Sequence, residues 1–77
     1  MTILSQDKTR LVNVNQVEWI GIRSTSKETD SYSVYAMARG ANVWLGTYLS
    51  KERAVAVIDK ISNAIGLNMY TYSMPKK

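Results

Sequence analysis

The clearest hydrophobic pattern in the chain lies between residues 51 and 65 and has the period of an α-helix. Apolar side chains recur every three or four residues, at Ala54, Val57, Ile58, Ile61 and Ile65. Most of the charged side chains fall between them. Ser50 is a suitable N-cap before this segment, and Gly66 is a suitable C-terminal glycine after it. The pattern therefore predicts one helix over about 51–65, with a single apolar side.

The other apolar segments are shorter, and many of them alternate with period two, as strands do. The predicted strands cover residues 2–4, 11–14, 17–23, 31–39, 42–48 and 68–74. Residues 24–30 are polar and predict a loop, and Gly40 favours a tight hairpin turn. Together these elements predict an α+β protein with a single domain over 1–77. In it, an antiparallel sheet of about five strands packs on the helix, and a final C-terminal strand follows.

Alternation along the three central strands separates two faces of the sheet. One face is aliphatic and consists of Ile20, Ile22, Val34, Ala36, Ala38, Val43 and Leu45. It matches the apolar side of the helix, so it is the predicted core. The other face consists of Val17, Trp19, Gly21, Arg23, Tyr35, Met37, Arg39, Trp44, Gly46 and Tyr48. A sheet face that is open to water is usually polar, so an aromatic face needs another explanation.

Three interpretations of this aromatic face remain open. It could be a second small core, covered by the N-terminal strands or the C-terminal tail. It could be a self-association surface, because interface centres are enriched in Trp, Tyr, Met and Arg. It could also be a ligand site, in which rings stack on a base and arginines neutralise phosphate. In that case Gly21 and Gly46 would lie opposite each other and leave a shallow recess.

The aromatic face supplies the candidate ligand-binding or interface residues. They are Trp19, Arg23, Tyr35, Arg39, Trp44 and Tyr48. The four rings are expected to stack on a ligand or to be buried in an interface. The two arginines are expected to hold an anion.

Composition argues against most catalytic and metal chemistry. The chain has no histidine and no cysteine, so disulfides are excluded, and zinc or haem sites are not expected. The usual general base and the usual activator of a serine nucleophile are missing. No phosphate-binding glycine motif occurs either. We therefore predict no catalytic residues, no metal ligands and no cofactor, in a protein that is not an enzyme.

Size and charge bear on partners and location. A chain of 77 residues buries a small core, and proteins of this size often gain stability by association, so we expect a homo-oligomer. The net charge of +4 includes Lys76 and Lys77. An anionic nucleotide or a host protein is the expected partner, and nucleic acid is favoured less because the RNP-type motif is missing. No apolar stretch suits a signal peptide or a membrane span, which predicts a cytoplasmic protein without a membrane partner.

Three segments follow one another along the chain: ILSQDKTRLVNVNQV, then LGTYLSKERAVAVIDKI, then YTYSMPKK. In this order they resemble a family of short, largely uncharacterised proteins of low-GC Gram-positive bacteria, their phages and mobile elements. Members of that family carry the pattern SQD, N…V, LG.Y, ERA and Y.MP. The resemblance covers nearly the whole chain and implies a fold and a source, but no functional residue. Small phage-associated proteins often act stoichiometrically, as inhibitors of a host factor or as sponges for a signalling nucleotide.

These observations predict a small, non-catalytic binding module of phage or mobile-element origin. Its expected ligand is anionic and nucleotide-like, bound on the aromatic and arginine face or at a subunit interface. The alternative is a protein–protein interaction or self-assembly module without a small ligand, whose interface is the aromatic face.

Overall fold

The computed structural model describes residues 1–24 and 31–77. Its elements are β1 (Thr2–Leu4), β2 (Leu11–Asn13), one 3₁₀ turn (Val14–Gln16), β3 (Val17–Ser24), β4 (Tyr32–Ala38), β5 (Ala41–Tyr48), α1 (Lys51–Gly66) and β6 (Thr71–Ser73). The predicted α+β class and the predicted helix are confirmed. The loop expected at 24–30 lies, apart from Ser24, outside the described residues.

The strands form two three-stranded sheets, so the predicted single sheet of about five strands is wrong. The large sheet has the order β3–β4–β5 and is antiparallel throughout. The small sheet has the order β2–β1–β6, and its β1–β6 pair is parallel. Each strand of the small sheet has three residues. Strands this short contain too few alternating positions to indicate their partners.

The helix and the small sheet share one core with the large sheet. The buried core residues are Ile3, Val12, Val34, Ala36, Leu45, Tyr48, Ala54, Val57, Ile61 and Met74. They come from α1, from both sheets and from the residue after β6. The predicted aliphatic face therefore does face the core, and Ile20, Ile22 and Val43 pack against it.

The ends of α1 follow the predicted signals only in part. The Ser50 hydroxyl accepts a hydrogen bond from the Arg53 backbone N–H at 3.1 Å, as an N-cap does. Ala64 turns inward in the last full turn, whereas Ile65 is 45% exposed. Asn68, with φ of 56°, takes the left-handed conformation after the helix.

A β-bulge in β5 changes which of its side chains face the core. Leu45 has no partner in β4, while Trp44 and Gly46 pair with consecutive residues of that strand. An extra residue inverts the alternation of all side chains beyond it. Gly46 and Tyr48 therefore lie on the core side, and Tyr48 is only 2% exposed. Their predicted positions on the aromatic face are wrong.

A second bulge has the same effect at the start of β3. Here Glu18 is the extra residue between Val17 and Trp19. Val17 pairs with Ala38 and packs against the core. Its predicted position beside Trp19 on the aromatic face is therefore wrong as well.

The turn between β4 and β5 consists of Arg39 and Gly40, since Ala38 pairs with Ala41. Both turn residues have positive φ, 52° and 79°, as a type I′ turn requires. Asparagine, aspartate or glycine is the usual first residue of this turn, because a larger side chain is strained there. Arg39 therefore stands at the end of a hairpin and not on the sheet face where alternation placed it.

The side chain of Gln6 joins three parts of the chain. Its Oε1 accepts a hydrogen bond from the Thr47 N–H at 2.9 Å, and its Nε2 donates to the Thr47 carbonyl at 3.0 Å. The same Nε2 donates to the carbonyls of Pro75 (3.2 Å) and Lys76 (2.8 Å). The backbone N–H of Gln6 donates to the Leu45 carbonyl at 2.7 Å. The carboxamide thus takes the place of a neighbouring strand beside β5.

We expect Gln6→Ala to lower the free energy of unfolding by about 2–4 kcal/mol, because it removes several hydrogen bonds that each contribute about 0.5–1.5 kcal/mol. Gln6→Glu should cost at least as much, since it turns a carboxylate toward the carbonyls of Thr47 and Lys76. Chemical denaturation followed by tryptophan fluorescence measures both. Gln16→Ala, an exposed glutamine in the 3₁₀ turn, is the control and should change stability by less than about 0.5 kcal/mol. Equal losses of stability in Gln6→Ala and Gln16→Ala would contradict the role of Gln6 in joining β5 to the C-terminal tail.

Candidate functional site

The side of the large sheet opposite the core is here called the open face. Strand pairing places on it Trp19, Gly21, Arg23, Ser33, Tyr35, Met37, Asn42, Trp44 and Thr47. Trp19 is 48% exposed, and Tyr35 and Trp44 are half-buried. The N-terminal strands and Met74, one expected cover for this face, belong to the core on the other side. These segments therefore do not cover the open face, although Ser33 on that face is only 1% exposed.

The indole of Trp19 lies over the backbone of Gly21 on its own strand. A Cβ atom at residue 21 would stand 3.0 Å from Cζ3 of Trp19 and 3.3 Å from Cε3. Glycine therefore allows this approach of the ring. The recess predicted between Gly21 and Gly46 does not form, because the ring fills the space above Gly21 and Gly46 lies on the opposite face.

Two further contacts orient side chains on the open face. The guanidinium carbon of Arg23 lies 5.3 Å from the centre of the Tyr35 ring, in a cation–π arrangement. Nε1 of Trp44 donates a hydrogen bond to Oγ1 of Thr47 at 2.9 Å. That Oγ1 is also 2.9 Å from the hydroxyl of Ser33. The polar atoms of these side chains thus have partners within the sheet, and the rings are held in place.

The structure brings four of the six predicted site residues together: Trp19, Arg23, Tyr35 and Trp44. Tyr48 is on the core side, where its hydroxyl donates to the Pro75 carbonyl at 2.8 Å. Arg39 is in the hairpin turn at the far end of the sheet.

A hollow of about 640 Å³ adjoins the open face beyond β5. Its lining residues are Gln6, Thr47, Leu49, Ser50, Arg53, Lys76 and Lys77. Three of them have cationic side chains and none has an acidic side chain. Nε of Arg53 donates to the main-chain oxygen of Lys77, the last residue of the sequence, at 2.7 Å, which holds this end of the chain beside α1. Thr47 belongs to both the hollow and the open face.

Sequence patterns missed part of this arrangement. Ser33 and Met37 follow from alternation along β4. Thr47 appears on the open face only once the bulge at Leu45 is known. The cationic hollow depends on contacts between residues far apart in the chain, such as that of Arg53 with Lys77, and no local pattern indicates it.

Two further findings concern the described residues 1–24 and 31–77. No three Asp or Glu side chains there lie close enough together to hold a metal ion. No helix in the same ranges is both long and apolar enough to cross a lipid bilayer.

No protein-family model matches the chain, and no curated protein or solved structure matches it significantly. The resemblance to the family of short Gram-positive and phage proteins therefore stays a prediction.

Alkaline pH should destabilise the protein through its buried tyrosines. Burial raises the pKa of Tyr48 to about 12 and also raises that of Tyr72. An unfolded tyrosine ionises near pH 10, so the stabilisation is complete below about pH 10 and is lost as pH rises toward about 12. Unfolding free energies measured from about pH 8 to about pH 12 test this.

The variant Tyr48→Phe should be less stable at pH 8 but should lose less of its stability at alkaline pH than the wild type does. Tyr70 is 92% exposed, and Tyr70→Phe is the matched control that should follow the wild type. If the free energy of unfolding of Tyr48→Phe fell between about pH 10 and about pH 12 as steeply as that of the wild type, Tyr48 would not be a source of the alkaline destabilisation.

Proposed function

We propose that the chain is a non-catalytic binding module whose open face takes an anionic, nucleotide-like ligand. Two tryptophans, a tyrosine and an arginine share this face, and the helix and small sheet lie on the other side. Exposed rings on a sheet suit a planar base, and stacking contributes about 1–3 kcal/mol per base. The protein would act stoichiometrically, as a sponge or an inhibitor, as the resemblance to phage proteins implies.

The placement of Arg23 supports an anionic group on the ligand. Its guanidinium stacks on Tyr35, and a stacked arginine can still present its N–H edge to a phosphate. The indole of Trp19 lies over Gly21, which places it between its own backbone and Arg23 along β3. A base on the indole would thus have its phosphate near the guanidinium.

The distribution of acidic residues favours the same ligand. Within the described residues, the open face has no carboxylate. The described acidic side chains are elsewhere: Asp7 in the β1–β2 turn, Glu18 in the β3 bulge, and Glu52 and Asp59 on α1. An anion approaching the open face therefore meets Arg23 with no like charge on that face.

We expect nucleotides to change the tryptophan fluorescence, because Trp19 is the exposed ring of the site. Titration with mono-, di- and cyclic nucleotides measures this, and the apparent affinity should fall as salt rises. Arg23→Ala should weaken binding about tenfold or more, the loss expected for one charge-assisted hydrogen bond.

Lys60→Ala is the matched control, because it removes one positive charge from the exposed side of α1. It should bind as the wild type does. The absence of any fluorescence response to all of these nucleotides, or equal losses in the two variants, would overturn the proposal.

The second candidate function is self-association or binding of another protein through the same face. The half exposure of Trp19 favours it, because interface centres are enriched in Trp, Tyr, Met and Arg, and Met37 shares the face. A ligand site at a subunit boundary would combine both functions.

Self-association predicts elution above the monomer size at micromolar concentration, and Trp19→Ala should return the protein toward the monomer. Size-exclusion chromatography with light scattering measures the mass. Leu67→Ala, which changes an apolar residue that is 74% exposed just after α1, is the control and should leave the mass unchanged. A wild-type monomer would exclude self-association and leave the nucleotide proposal intact.

A further inference from the structure

The two arginines that alternation placed on one face stand at opposite ends of the large sheet. Arg23 pairs with Ser33, and Arg39 follows that residue six positions later in the chain. At about 3.3 Å per residue, their backbones are about 20 Å apart. The Arg23 guanidinium already lies over Tyr35, which is four positions, or about 13 Å, from Arg39 along β4. One phosphate would therefore contact both arginines only if Arg39 extended along the sheet toward Tyr35. A ligand with several phosphates would contact both without this constraint.

The rings are grouped between the backbones of these two arginines. Trp19 pairs with Met37, two positions from Arg39 along β4, and its indole lies over Gly21. Gly21 pairs with Tyr35 and Tyr35 pairs with Trp44, so the three rings lie near one level across the sheet. The guanidinium of Arg23 lies over Tyr35 at the same level. Stacking surfaces and one cation are therefore grouped, and the other cations lie farther along the sheet on either side.

Beyond Arg23, the open face leads toward the cationic hollow at the edge of β5. Thr47 pairs with Ser33, which also pairs with Arg23, so these three residues lie at one level of the sheet. Thr47 also lines the hollow that holds Arg53 and the two C-terminal lysines. An anionic chain that passes around the edge of β5 at Thr47 would reach this hollow.

We propose that the ligand is a single-stranded nucleic acid, which lies along the open face from the hairpin turn that contains Arg39 to Thr47 and continues into the hollow. Its bases stack on Trp19, Tyr35 and Trp44, and its phosphates meet cations at both ends. This inference rests on the proposed nucleotide-binding function and adds that the ligand is a polymer. A strand of a few nucleotides covers the face, near the small end of the site sizes known for single-strand-binding domains.

The test measures tryptophan fluorescence of the full chain with four probes: thymidine monophosphate, a twelve-nucleotide dT strand, a twelve-nucleotide rU strand, and a twelve-base-pair DNA duplex. At least one single strand should bind at least tenfold more tightly than the monophosphate and the duplex. The tighter of dT and rU tells whether the natural ligand is DNA or RNA. The logarithm of affinity should fall linearly with the logarithm of salt concentration.

Lys76→Ala/Lys77→Ala should weaken binding of the strand about tenfold and reduce the salt slope by about one to two. Its response to the monophosphate should be unchanged, because the hollow lies beyond the stacking rings. Arg39→Asn, which suits the turn, should weaken strand binding while keeping the fold. Lys60→Ala is the control and should reproduce the wild type.

Three results would overturn the inference. If the protein bound the single strands and the monophosphate with equal affinity, the nucleotide-binding proposal would stand but the ligand would not be a nucleic acid. Equal affinity for strand and duplex would replace stacking with simple charge attraction. No response to any probe would remove the proposed function as well.

Discussion

The carboxamide of Gln6 completes the hydrogen bonding of β5 at Thr47, and much of the long-range arrangement depends on this contact. A carboxamide has the same donor and acceptor as a peptide group, so it can pair with a strand edge at a single residue. Gln6 thereby occupies the outer edge of β5 at Leu45 and Thr47. The same side chain binds the carbonyls of Pro75 and Lys76, which brings the C-terminal tail to the edge of the large sheet. Gln6 thus joins the N-terminal segment, the C-terminal tail and Thr47 of the β4–β5 hairpin.

The Gln6 contact is possible because of the bulge at Leu45. The extra residue turns Gly46 and Tyr48 toward the core side. A Cβ atom at residue 46 would lie 2.9 Å from the Tyr48 hydroxyl and 3.1 Å from Cβ of Gln6, so a glycine is needed at that point. The buried Tyr48 then donates to the Pro75 carbonyl. One bulge therefore positions the glycine, the core tyrosine and the tail. Of the three β5 residues that alternation placed on the aromatic face, Trp44 is the one that lies on the open face.

The sequence predicted the elements better than their arrangement. The helix was clear because its apolar positions repeat over four turns, and the large-sheet strands were clear because they are long enough to alternate. Alternation placed Trp19, Tyr35 and Trp44 correctly. It failed for Val17 and Tyr48, because a bulge inverts the pattern and leaves no local signal in the sequence. The division into two sheets was missed because β1, β2 and β6 are three residues each, and their pairing depends on contacts between the two ends of the chain.

The motifs that carry the family resemblance are structural in this fold. In the SQD segment, Ser5 and Thr9 donate hydrogen bonds to Asp7, which lowers the pKa of that carboxyl and closes the β1–β2 turn. Gln6 between them bridges to β5. The LG.Y and Y.MP segments supply the bulge, the core tyrosine and the carbonyl that it binds. A resemblance based on these residues therefore concerns the fold.

The residues of these motifs do not lie on the open face. Thr47 connects the two regions, since its backbone pairs with Gln6 and its hydroxyl accepts from Trp44. A ligand that moved the Trp44 ring would therefore act on Thr47, the residue to which Gln6 is hydrogen-bonded.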